Sequence, residues 1–279
     1  MILQGLGIGW RPEIAGIIAQ LNGLSFCEVI AETIHKHVPL ELESLSIPVI
    51  PHGISLSLGG AETLDAHRID HLARVAELLD APMVSEHIAF VRAGGIEAGH
   101  LLPVPRTYEA LDALTRNITR TQDCLPVPLA VENIAALFDW PDNELTEAEF
   151  LSELIERTGV HLVLDIANVY ANALNRQRDP WTELSRLPLD HIAYCHIAGG
   201  SIRNGRYHDT HTDPVPEPVL KLLTRLAAEG HYTEGHHPAV MLERDGNYPP
   251  ALELLDELDA IADAAGLSRI TAGTHWSRA

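Results

Sequence analysis

Short apolar runs alternate with amphipathic stretches along the chain. The runs are Leu6–Trp10, Phe26–Glu32, Pro48–Gly53, Met83–Phe90, Leu129–Asn133, Leu162–Asn168, Ile192–Ala198 and Val240–Asp245. Several are β-branched and bounded by turn residues, as parallel strands buried on both faces should be. The stretches between them carry a helical period. Leu64–Leu79 puts Leu64, Ile69, Leu72, Val75, Ala76 and Leu79 on one face, and Thr107–Cys124 and Glu147–Thr158 repeat the pattern. Thr146 and Glu149 match a capping box, and Thr158-Gly159 supplies a stop. Pro12–Leu21 opens with proline in its first turn, while Pro218–Glu229 and Pro250–Ala265 each run into a glycine. Pro39–Leu45 and Pro180–Leu187 predict shorter helices.

Eight strand–helix units predict an α/β chain closed into one (β/α)8 TIM barrel spanning residues 1–279. A doubly wound open sheet would need a glycine-rich phosphate loop after its first strand. Gly5-Leu-Gly-Ile-Gly9 lies within the apolar run and Pro12 follows, so it does not read as that loop.

Composition narrows the function. A net charge of −20 argues against binding nucleic acid by phosphate neutralisation. Three dispersed cysteines, Cys27, Cys124 and Cys195, make no disulfide framework. No apolar run approaches the roughly 20 residues that span a bilayer, and no signal-peptide pattern is seen. A cytoplasmic protein without membrane or nucleic-acid partners is expected. Sixteen histidines are many for 279 residues, so their placement matters.

Active-site residues of such barrels sit at the C-terminal ends of the strands. Here those ends carry Glu32, His52, Ser85-Glu86-His87, Glu132-Asn133, Asp165 with Asn168, His196, and Glu243-Arg244-Asp245, and the loop after strand seven adds His208-Asp209-Thr210-His211. A carboxylate or imidazole buried in an apolar strand is costly without a partner. Any one of them alone can be read as a hydrogen-bonded core residue. Seven strands delivering such groups to one rim would concentrate negative potential, and metal cations are the simplest compensation. The donors exceed the needs of one ion and suit a cluster of two or three bridged by a carboxylate. Nitrogen and oxygen ligands without thiolate suit iron, manganese or zinc, and composition does not choose among them.

Several residues have blander readings. Asp165 can cap the following turn, Asn168 can ligate or donate to a ligand, and Asp209 and His211 can be solvated. Glu32, Glu86 and Asp245 read as partners of arginine, backbone or a ligating histidine. His35 and His37 read as solvated loop, and His67 and His71, four apart, as an outer helix surface. His236 and His237 should face the opposite end of the barrel. His100, His161, His191, His231 and His275 have no constellation, and Cys195 reads as core.

The ordered set His52-Gly-Ile-Ser-Leu-Ser-Leu-Gly59, Val84-Ser-Glu-His87, Val131-Glu-Asn133, Leu164-Asp-Ile-Ala-Asn-Val-Tyr170, His196-Ile-Ala-Gly199, Asp209-Thr-His211 and Glu243 resembles the multinuclear non-haem iron-dependent oxidative enzymes. Leu101-Leu-Pro-Val-Pro105 and Gly7-Ile-Gly-Trp-Arg-Pro12 add to the likeness, which runs from about Gly5 to Leu258. The resemblance implies a TIM barrel holding two or three irons, Fe2+ and Fe3+ mixed. Such an enzyme uses O2 to modify cysteine, or another residue, of a ribosomally made precursor peptide, often with a small partner protein that presents the peptide. Carried over by motif, the metal-binding set is His52, His87, Glu132, Asp165, Asn168, His196, Asp209, His211 and Glu243, with Glu132 bridging. Tyr170 and Arg244 are candidate substrate contacts. The chain departs from the family pattern at Thr33-Ile34, Ala167, His208 and Arg244, none of them a matched ligand. A divalent-metal barrel hydrolase or sugar isomerase, and a metal-dependent interaction module, stay open as other readings.

Overall fold

The structure is a computed structural model and describes residues 3–229 and 239–272. His231, His236, His237 and His275 lie outside the described residues.

Eight parallel strands close into a barrel: β1 (Leu6–Trp10), β2 (Phe26–Ile30), β3 (Val49–Gly53), β4 (Val84–His87), β5 (Leu129–Glu132), β6 (His161–Asp165), β7 (Ile192–Ile197) and β8 (Val240–Leu242). Each strand pairs with its sequence neighbours, and β8 closes on β1 through Leu6 opposite Val240. The long outer helices are α1 (Ala66–Leu78), α2 (Tyr108–Cys124), α3 (Glu147–Thr158), α4 (Ile166–Asn175), α5 (Glu217–Glu229) and α6 (Ala251–Ala265). The capping box of α3 forms with Thr146 and Glu149, and Gly159 ends that helix at φ +65°. Asp65 and Thr107 cap α1 and α2 by accepting backbone N–H bonds.

Strand alternation divides the core in two. Outward-facing residues such as Ile8, Cys27, Val131, Leu164 and Cys195 pack beneath the helices. Inward-facing Phe26, Ile50, Met83, Ala130, Val163, Tyr194 and Met241 plug the lumen. Gly7 makes room for this plug, because a Cβ there would stand 2.6 Å from the Phe26 ring. Gly7→Ala is expected to overpack the lumen and cost about 1–3 kcal/mol, read as a lower urea midpoint.

Four segments depart from the sequence reading. The fourth apolar run leaves the barrel after His87, and Ala89–Ala93 turns into a hairpin with Ile96–Pro103. The sixth run stops at Asp165, which starts α4 by capping it, so Asn168 sits in the first helical turn rather than at a strand end. Pro12–Leu21 is broken into a 3-10 turn, Pro12–Ile14, and one helical turn, Ala15–Ile18. Its end is drawn instead into pairing of Leu21–Asn22 with Thr271–Ala272. A second hairpin, Gly200–Arg203 with Arg206–Asp209, follows β7.

Candidate metal centre

Counting by two along each strand leads from the apolar plug to the mouth. Ile50 is followed by His52, Ala130 by Glu132, Val163 by Asp165, Tyr194 by His196, Met241 by Glu243, and Ser85 by His87. The register sets His87 beside Glu132 and His196 beside Asp165. Tertiary structure adds two residues from a loop. The segment that follows the second hairpin is tied to the strand ends: the His211 N–H donates to the Gly199 carbonyl at 2.9 Å and the Asp245 N–H to the His211 carbonyl at 2.8 Å. This places Asp209 and His211 on the same cluster. His211 has φ +52°, a left-handed conformation that a non-glycine residue holds only when its surroundings compel it. Gly199 allows the approach, since a Cβ there would run into the carbonyls of Asp213 and Pro214.

The centre consists of overlapping groups. His52 Nε2 and His87 Nε2 each lie 3.4 Å from Glu132 Oε2 and 3.3 Å from one another. Across the carboxylate, Glu132 Oε1 is 3.3 Å from His196 Nδ1, which is 3.0 Å from Glu243 Oε2. Glu243 Oε2 is in turn 3.3 Å from His211 Nδ1, and His211 Nε2 meets Asp209 and lies 3.8 Å from Asp165 Oδ2. Asp165 caps α4 with Oδ1, 2.7 Å from the Asn168 N–H, and leaves Oδ2 toward the cluster. The cap that the sequence allowed is formed, and the second oxygen stays unbonded on the cluster side. Asn168 Nδ2 donates to the Asn133 carbonyl at 2.9 Å and stands 3.5 Å from Glu132 Oε1.

Protein contacts leave this chemistry incomplete. Glu28 Oε1, Glu132 Oε2, Asp165 Oδ2, Asp209 Oδ1 and His196 Nδ1 are buried without a hydrogen bond, a costly state for polar atoms. Burial alone would lower the His196 imidazole, but Glu28, Glu132 and Glu243 hold it well above the usual histidine range. His211 is raised likewise, with Glu243 and Asp209 outweighing burial. Burial lifts Asp165 well above the usual carboxylate range, and Asp209 and Glu132 add to the rise. Burial pushes Glu243 up, but His211 and His196 prevail and hold it well below that range. Donors about 2.1 Å from one ion stand about 3.0–3.4 Å apart, which matches the spacing around Glu132. The residues present therefore fit metal cations held by nitrogen and oxygen.

Residues around the cluster orient it. Arg11, 8% exposed, donates to Asp245 at 3.1 and 2.5 Å and lies 3.5 Å from Glu243 Oε1, which leaves Glu243 Oε2 for the histidines. Glu86 accepts from the N–H groups of Leu56 and His87, although burial pushes its carboxyl up to about 8. Glu32 accepts the Ile54 N–H at 3.0 Å. Of the two residues expected to touch substrate, Arg244 is engaged by the protein, donating to Glu257 at 2.8 Å and to the carbonyls of Thr212 and Asn247. Tyr170 is half-buried, its ring edge-on to Tyr207 at 5.2 Å. His35, His37, His67, His100, His161 and His191 are exposed, and His71 is held by the Ala31 carbonyl and Arg74. Cys27 and Cys195 are buried away from the lumen, and burial pushes the Cys27 thiol up to about 12.

Sequence reasoning missed Glu28. It is fully buried, 3.0 Å from His196 Nε2, and faces His52. Its signal was parity: Glu28 follows Phe26 by two and so must share the lumen side, whereas Glu32, the strand-end candidate, lies beyond the strand.

The family model for the RiPP precursor modification enzymes MbnB/TglH/ChrH, which act on ribosomally synthesised and post-translationally modified peptides, matches residues 5–266. A UPF0276 protein of Streptomyces avermitilis is 51% identical over 268 residues, covering 92% of this chain, which spans only 54% of that relative's length. A UPF0276 protein of Caulobacter vibrioides is 35% identical, with 92% of each chain covered. Among solved structures, endonuclease IV from Thermus thermophilus aligns at TM-score 0.61 and 16% identity, covering 94% of this chain and 100% of its own. A D-psicose 3-epimerase crystallised in the presence of D-fructose aligns at TM-score 0.56 and 14% identity, covering 95% and 99%. These two share the barrel alone. Among the described residues no helix is long and apolar enough to cross a membrane. With its matched span containing every residue of the cluster, the chain belongs to the MbnB/TglH/ChrH family of RiPP precursor modification enzymes.

Proposed function

We propose that the chain is a multinuclear iron oxidase that uses O2 to modify a cysteine, or another residue, of a ribosomally made precursor peptide. Glu132 carries this reading: its two oxygens face different imidazole groups, His52 with His87 on one side and His196 on the other. That is the arrangement of a carboxylate bridging two ions. His52, His87 and Glu132 would hold one ion, and Glu132, Asp165, His196 and Glu243 a second. Asp165, Asp209 and His211 would hold a third, with Asn168 steadying Glu132. When bound, irons supply Lewis acidity toward a thiol and one-electron chemistry with O2.

The chain's own part is placement. The lumen plug closes the site from below, so peptide and O2 enter at the mouth. Arg11 offsets part of the buried negative charge and fixes Glu243. The hairpin that ends at Asp209, with the turn that follows it, brings Asp209 and His211 to the cluster. Adjacent binding of both reactants replaces an encounter in solution with a fixed geometry. Arg244 contributes by holding the Thr212 and Asn247 backbone. A peptide-presenting partner protein completes the expected system.

The test is co-expression with a cysteine-bearing precursor peptide encoded beside the gene, with and without the neighbouring small protein. Under aerobic, iron-replete conditions the expected result is a changed peptide mass and consumed O2. A zinc-only protein acting without O2 would turn the reading to hydrolysis. An unchanged mass from an iron-loaded protein with both partners would refute it.

A further inference from the structure

Beneath the metal-facing residues lies a polar layer that the proposed reaction does not use directly. Tyr194, fully buried in the lumen, donates its hydroxyl to Glu28 Oε2 at 2.5 Å and lies 2.8 Å from Ser85 Oγ. Ser85 Oγ lies 2.8 Å from His52 Nδ1, and Glu28 Oε2 is also 3.0 Å from His196 Nε2. One unbroken path of hydrogen bonds thus runs from His52 to His196 beneath the centre.

The directions of these bonds follow from donor counting. A hydroxyl has one proton. Tyr194 spends its proton on Glu28, so its oxygen accepts from Ser85. Ser85 spends its proton on Tyr194, so its oxygen accepts from His52 Nδ1–H. His196 Nε2–H donates to Glu28. Each histidine then has its bare nitrogen on the other side: His52 turns Nε2, and His196 turns Nδ1, toward Glu132. His87 is set independently, its Nδ1–H donating to the Gly53 carbonyl at 3.1 Å and its Nε2 left bare.

We infer that Ser85, Tyr194 and Glu28 form a positioning relay that fixes His52 and His196 in opposite tautomers, so that both rings offer a lone pair to neighbouring metal ions. The relay rests on the metal reading above, not on the identity of the oxidised residue. It explains why a tyrosine hydroxyl, a serine and a carboxylate are buried between the apolar plug and the centre. It also gives Glu28 a role through His196 and Tyr194 rather than as a ligand. Tyr194→Phe would free the Ser85 proton to turn toward His52 Nδ1. That favours the other His52 tautomer and takes its bare nitrogen away from the centre. Outer partners of ligating histidines typically set metal affinity by about 10–100-fold.

The probe is zinc, which is diamagnetic, bound to protein carrying 15N-labelled histidine. In the wild type the ring signals should show protons on His52 Nδ1, His87 Nδ1 and His196 Nε2. Tyr194→Phe and Ser85→Ala should each bind zinc about 10–100-fold more weakly and shift or lose the His52 ring proton. The His87 proton should persist in both, and Ser85→Thr should restore affinity by restoring the hydroxyl. Unchanged affinity and ring signals in Ser85→Ala would overturn the relay, even if Tyr194→Phe failed to fold. So would loss of one whole zinc equivalent in Glu28→Gln with the His196 and His52 protons intact, which would make Glu28 a ligand. A wild type that takes up no zinc would sink the metal centre and the relay together. Metal-replete protein that leaves the peptide unchanged would sink only the oxidative reaction.

Discussion

Glu132→Gln is expected to strip the centre of its shared ligand, with loss of bound metal and at least a hundredfold fall in peptide modification. The substitution keeps the side chain's size and its place on β5. It removes the negative charge and replaces one carboxylate oxygen with an NH2 group that can only donate. Whichever way the amide turns, one group loses its carboxylate oxygen: the pair His52 and His87 at 3.4 Å, or His196 at 3.3 Å. Loss of outer partners alone costs about 10–100-fold, so loss of a bridge should exceed that. Metal content by elemental analysis and peptide mass after co-expression are the two readouts. Circular dichroism would confirm that the barrel still forms. Full metal content in the folded variant would remove Glu132 from the bridge.

The second large effect is on stability. Without cations, the buried carboxylates are balanced by Arg11 and by protons that the surrounding acids favour on His196 and His211. Adding metal must expel those protons and works against the protonation that burial favours on Asp165. Metal affinity should therefore rise with pH, about tenfold per unit for each proton displaced. The metal-free protein should move the other way. A raised histidine contributes its stability in full below its unfolded value of 6.5 and loses it as pH climbs toward its folded value. Each ion present at a hundred times its dissociation constant adds about 2.7 kcal/mol, or roughly 5–10 °C for a chain of this size. Chelator should thus lower the melting temperature, and the gap between loaded and stripped protein should widen from pH 6 to 8. Scanning fluorimetry with EDTA, ferrous iron and zinc measures this directly. A melting temperature indifferent to chelator across that range would mean the carboxylates do not need a cation.

Much of the barrel was legible because it is written in local pattern. Eight apolar runs match the eight strands in order. The caps at Thr146 and Gly159 and the glycine after α6 end helices through chemistry contained in a few neighbouring residues. Strand parity is also local. It assigns His52, Glu132, Asp165, His196 and Glu243 to the lumen once the apolar plug residues two positions earlier are recognised.

What could not be read depended on other strands. The hairpin after β4 was missed because an apolar run that leaves the barrel looks like one that stays: Ile88 still bonds to the Glu132 carbonyl at 2.9 Å, and the chain then turns outward. The hairpin after β7 decides whether Asp209 and His211 are solvated or share the centre. Only its closure against Gly199 and Asp245 settles that. Arg11 and Asp245 are separated by 234 residues, and no spacing rule connects them.

The amino-acid order alone thus determined that the chain is a barrel and which side chains point into it, since both follow from two-residue and 3.6-residue periods along a single segment. The tertiary structure decided which of those side chains meet: that Glu132 stands between two imidazole groups, and that Glu28 reaches beneath it from β2. Such contacts are set by strand register and barrel closure, and those depend on all eight strands at once.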